Sequence, residues 1–110
     1  MKKSLSVIAL LLLLCSPVFS QTPDLNETRR LAEQGDARAQ NNLGVRYANG
    51  RGVPQNDARA YLWFSMAAAQ GNEMATENRE MASKKLTAEA LNSAQQLATR
   101  CFDSGYKQCE

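Results

Sequence analysis

The stretch Asn42-Leu43-Gly44-Val45-Arg46-Tyr47-Ala48-Asn49-Gly50-Arg51-Gly52-Val53-Pro54-Gln55-Asn56-Asp57 decides the fold, and its pattern continues through Ala60, Trp63, Ala67, Ala68, Gln70 and Gly71. Ala39, Leu43 and Tyr47 recur at helical spacing, which predicts a helix over about Asp36 to Asn49. Gly50 and Gly52 bracket a tight loop in which positive φ is expected. Pro54 blocks helix continuation, and Val53 is placed to plug the turn from inside. Asn56 or Asp57 then caps the next helix, which carries Ala60, Trp63, Phe64, Ala67 and Ala68 on its apolar side. Two helices joined by a fixed loop make a helix-hairpin repeat, a unit that more often binds other molecules than transforms them.

Outward from this hairpin the chain reads as all-α, with about five helices. A first helix spans about Asp24 to Gln34, with Leu25, Thr28, Leu31 and Ala32 inward and Gly35 as its stop. A fourth, about Glu73 to Lys84, is polar for its length. A fifth follows Thr87, an N-cap, with Glu89 near the positive dipole end and an apolar stripe of Leu91, Ala94, Leu97, Ala98 and Cys101. An internal period supports this order. Leu31-Gly35-Ala39, Ala67-Gly71-Ala75 and Cys101-Gly105-Cys109 share one spacing. At each junction a helix is expected to end at the glycine and another to begin, so that the residues four before and four after it face each other. Cys101 and Cys109 would then be facing positions, suited to a disulfide.

The chain resembles the Sel1-like repeat family, relatives of the tetratricopeptide repeats. The residues that carry the resemblance are Gly35, Ala39, Leu43-Gly44, Tyr47, Gly50-x-Gly52-Val53, Gln55, Asp57, Ala60, Trp63, Ala67-Ala68 and Gln70-Gly71. They make one full repeat, with a partial unit on each side. The following unit departs from the pattern, with Arg79, Glu80 and Ser83 where Leu43, Gly44 and Tyr47 stand. It reads as a polar capping unit. The Cys-x7-Cys spacing looks like the helix-turn staple of cysteine-rich bacterial members. The resemblance implies an α/α right-handed superhelix and a role as a protein-interaction scaffold.

Residues 1–20 read as a secretory signal peptide. Lys2 and Lys3 precede an apolar run from Leu5 to Leu14, Pro17 breaks the helix, and Val18-Phe19-Ser20 offers a cleavage site. The run is too short for a stable membrane anchor, and Leu14 before Cys15 disfavours a lipoprotein. Residues 21–110 then form the repeat domain. The net charge of +2 belongs to Lys2 and Lys3, so the exported chain is balanced and no basic patch calls for nucleic acid. The chain has no histidine, which excludes Ser-His-Asp and Cys-His catalysis and disfavours a zinc site. No cofactor and no metal is expected.

Arg46, Arg51 and Arg59 cluster near the glycine loop and could grip a carboxylate, against the commoner role of solvated surface arginines. Tyr61 lies off the apolar stripe, whereas Tyr47, Trp63 and Phe64 fit the core. Arg46, Arg51 and Tyr61 are therefore the candidate partner-binding surface. Ser104-Gly105-Tyr106-Lys107 matches the Ser-x-x-Lys of penicillin-binding enzymes, and Tyr47-Ala48-Asn49 their Tyr-x-Asn, but the order is reversed, Lys-Thr-Gly is absent and the chain is short. The expected function is a non-enzymatic adaptor of the bacterial cell envelope, exported, with the periplasm as the first reading of its compartment and the extracellular space left open. Its partner would be an envelope or host protein, with self-association open. The alternatives are an enzyme acting on a β-lactam or peptidoglycan, and a secreted effector binding a host protein.

Overall fold

The computed structural model describes residues 24–110, so the signal-peptide reading lies outside the described residues. Among the described residues five helices follow in order: α1 (Leu25–Glu33), α2 (Ala37–Asn49), α3 (Asp57–Ala69), α4 (Glu73–Lys84) and α5 (Ala88–Asp103). No strand occurs among the described residues. Each of these five helices begins with a side-chain cap. Asp24, Asp36, Asn56, Asn72 and Thr87 each accept a hydrogen bond from the backbone N–H three residues on, at 2.8–3.1 Å. Asn56, not Asp57, caps α3.

The three glycine junctions are built alike. The N–H groups of Asp36, Asn72 and Tyr106 reach back to the carbonyls of Leu31, Ala67 and Cys101 at 2.9–3.2 Å, while Gly35, Gly71 and Gly105 donate to Ala32, Ala68 and Phe102. This is the Schellman arrangement, and it places each glycine at a φ of +66° to +95°. The first two turns launch a new helix and the third does not. Tyr106 follows Gly105 at φ +67°, so the chain turns away and residues 104–110 run as an irregular strap. The expectation of a helix start at each junction is corrected here. Asp36 and Asn72 can cap a helix at that point, whereas Tyr106 offers no capping oxygen to its neighbours.

α3 is the central element, packing on α2, α4 and α5. Its burial goes beyond the predicted stripe. Leu62 and Met66 are buried alongside Ala60, Trp63, Phe64 and Ala67, so apolar side chains surround the helix. The repeat's Leu-Gly step has a packing reason. A Cβ on Gly44 would stand 2.5 Å from the Phe64 ring, so only glycine lets α2 and α3 approach this closely. Gly44→Ala is expected to lose about 1–2 kcal/mol in chemical denaturation, the overpacking cost less the helical preference of alanine. Phe64→Leu in the same chain should recover part of it. An unchanged midpoint would show that the ring moves aside freely.

Gln40 joins three helices from the interior. Its side chain is fully buried, donates to the Ala32 carbonyl at 3.0 Å, and accepts from Gln70 at 2.8 Å. Among the described residues no buried side-chain polar atom lacks a partner. Such satisfied networks fix one relative placement of the helices they connect.

Candidate partner-binding surfaces

The sequence-predicted residues fall into two places. Arg46 and Arg51 meet at the glycine loop, where the Arg51 N–H donates to the Arg46 carbonyl at 2.9 Å. Asn56 closes that loop by donating to the Tyr47 carbonyl, and Val53 packs into the core beneath it. Gly52 faces Leu25 of α1 and the Arg46 guanidinium, so the loop lies against the first helix. Arg51 is exposed there and Arg46 is half-buried. Tyr61 is directed elsewhere. It is half-buried against the core, and its hydroxyl accepts from Gln95 of α5 at 3.5 Å. Arg59 turns inward from the loop, standing 5.7 Å from the centroid of the buried Tyr47 ring and 3.4 Å from the Glu110 carboxylate. The three arginines thus do not form one anion grip.

A second surface was not read from the sequence. A groove of about 360 Å³ runs between α2 and α4. Val45, Ala48, Phe64, Met81 and Ala82 give it a mainly apolar lining, and Lys84 and Lys85 stand at one end. Asn78 donates to Asn41 at 3.1 Å across the two helices. Met81 is 57 % exposed and Met74 64 % exposed. The signal was present as a spacing of seven. Ala75 and Ala82 form the buried column of α4, and Met74 and Met81 form the adjacent exposed one. Met is flexible and polarisable, and suits contact with varied apolar partners.

A third feature is a cleft of about 860 Å³ beneath the strap. Glu33 of α1, Trp63 of α3, Leu97 and Arg100 of α5, and residues 106–110 surround it. Cys101 and Cys109 are bonded here, with Cα atoms 4.4 Å apart. The Ser-x-x-Lys match resolves into turn chemistry. The Ser104 hydroxyl donates to the Cys101 carbonyl and accepts from the N–H groups of Lys107 and Gln108, at 2.9–3.1 Å. One donor and two lone pairs are thereby all used. No group of three or more metal-ligating side chains gathers among the described residues. No described helix is long and apolar enough to cross a membrane. The exposed Glu27 carboxyl is held below its ordinary range by hydrogen bonds from Arg30, a local pair in α1.

The Sel1 repeat family model matches residues 37–72, a span that opens with α2 and closes after the Gly71 turn. No curated protein matches the chain at a significant level of similarity. Helix, glycine loop, helix and glycine turn coincide in that span with the matched repeat, and α4 and α5 each pack against α3; the chain carries a Sel1 repeat.

Proposed function

We propose that this protein is an exported, non-enzymatic adaptor of the bacterial cell envelope that holds a protein or peptide on its helical surface. Repeats of this family are protein-interaction modules. The observation that carries the reading is the α2–α4 groove, where Met81 stays exposed beside an apolar floor of Val45, Ala48, Phe64 and Ala82. Arg51 on the glycine loop is the candidate secondary contact. Export rests on the pattern of residues 1–20, and the periplasm is the proposed compartment.

Capture of partners from envelope extract by the oxidised protein tests the adaptor reading. The wild type should retain one stoichiometric partner. Met81→Glu should lose it while keeping its helical circular dichroism, because a carboxylate on the groove floor must be desolvated by an apolar partner. Equal capture by the variant would place the interaction elsewhere. Hydrolysis of a chromogenic β-lactam that disappears with Ser104→Ala would replace the adaptor with an enzyme. For export, the mature chain recovered from a periplasmic fraction should begin at Gln21. An intact Met1 would remove that part of the proposal.

A further inference from the structure

We infer that residues 104–110 form a redox-released strap, which in the oxidised protein ties the last helix to the first and closes the cleft over Trp63. The inference is independent of the partner-binding reading. The strap leaves α5 at the Gly105 turn and reaches two other helices. Its Tyr106 ring lies over the α1–α2 turn, 3.1 Å from where a Cβ on Gly35 would stand. The Glu110 carboxylate lies 3.5 Å from Arg29 of α1 and 3.4 Å from Arg59 of α3. Cys109 is 6 % exposed and joins the core cluster. Between these contacts lies the cleft, which Trp63 borders while only 3 % exposed.

What holds the strap is mostly one covalent bond. Past Tyr106 it makes no backbone–backbone hydrogen bond among the described residues. Lys107 and Gln108 are held by the Ser104 hydroxyl alone, within the strap itself. Tyr106 is the one non-glycine residue with positive φ among the described residues, a conformation an L-residue adopts at a cost. The two Glu110 ion pairs are solvent-exposed and therefore weak. The Cys101–Cys109 bond keeps Tyr106 and Cys109 within reach of their seats against this opposing strain. A small or protein dithiol would open it by exchange. Attack on the Cys109 sulfur expels Cys101 as a thiolate and forms a mixed disulfide. The second thiol of the reductant then closes its own disulfide and releases Cys109. Two electrons and two protons pass to the cysteine pair.

Trp63 is the only tryptophan of the chain and reports on the cover directly. The oxidised protein and the protein treated with dithiothreitol are compared by acrylamide quenching of Trp63 fluorescence, with far-UV circular dichroism on the same samples. Reduction, checked by mass spectrometry as two free thiols, should raise the quenching constant several-fold with helicity retained. Reoxidation should restore protection. Tyr106→Gly with the disulfide intact keeps the turn, removes the ring, and should give intermediate quenching. Unchanged quenching in the fully reduced protein would overturn the inference. So would parallel loss of helicity, which would make the bond a staple of the whole fold and not of a strap.

Discussion

Trp63→Ala should destabilise the domain by about 3–5 kcal/mol, the range for deleting a large buried aromatic. Domains of this size carry roughly 5–10 kcal/mol in total, so the variant should sit near the edge of folding at 37 °C. The melting temperature should fall by on the order of 20 °C. The reason is positional. Trp63 lies on α3, the helix that packs against α2, α4 and α5, and its ring also borders the space between α1 and the strap. Truncation removes apolar contact toward several elements at once. The neighbouring cleft offers the gap no rigid wall to collapse against. Trp63→Phe, which keeps a ring, should cost less than half as much. A drop of only a few degrees for the alanine variant would show that the stack is held by the Leu43–Leu62 interior instead, both of which are almost fully buried.

How much of this could be read beforehand differs by element. Capping and stopping are local chemistry, so the starts of α1 to α3 follow from Asp24, Asp36 and Asn56 and their ends from Gly35, Gly50 and Gly71. The burial of Leu62 and Met66 was not legible because α3 shows no polar face in the sequence that would tell inside from outside. Its surroundings come from three separate helices, and one of these, α5, begins nineteen positions after α3 ends. The groove was hidden for the opposite reason. Met74 and Met81 look like core residues of an amphipathic helix, and only the seating of Ala75 and Ala82 against the fold shows that the methionine column is left outside. The predicted surface of Arg46, Arg51 and Tyr61 was read along the chain. In space the loop faces α1 and Tyr61 faces α5, because α3 also packs against α5. The failed third helix start marks the limit of periodic reasoning. The glycine spacing was kept at Gly105, but the residue after it, Tyr106, cannot cap.

Removing the Cys101–Cys109 bond should lower stability by about 2–3 kcal/mol, the loop-closure value for so short a ring in the chain-entropy model. That corresponds to a fall in melting temperature of roughly 10–20 °C for a domain of this size. The double variant Cys101→Ala/Cys109→Ala and the chemically reduced wild type should agree to within a few degrees, since both remove the same covalent link. Glu110→Gln offers the contrast. Its ion pairs with Arg29 and Arg59 are exposed, at 3.4–3.5 Å, and pairs of this kind contribute about 0–1 kcal/mol. Glu110→Gln should therefore move the melting temperature by a few degrees at most, although both pairs bridge distant parts of the chain. The contrast has a structural meaning. A stack of one helix hairpin with one helix before it and two helices after it has little core with which to hold its ends together, and repeat stacks ordinarily rely on about three repeats. Here the last helix is returned to the first through a seven-residue strap, and the covalent bond, not the charges at the strap's end, makes that return persistent. If Glu110→Gln proved as damaging as loss of the disulfide, the electrostatic bridge from α5 to α1 and α3 would be the true closure, and the cysteines would only shorten its search.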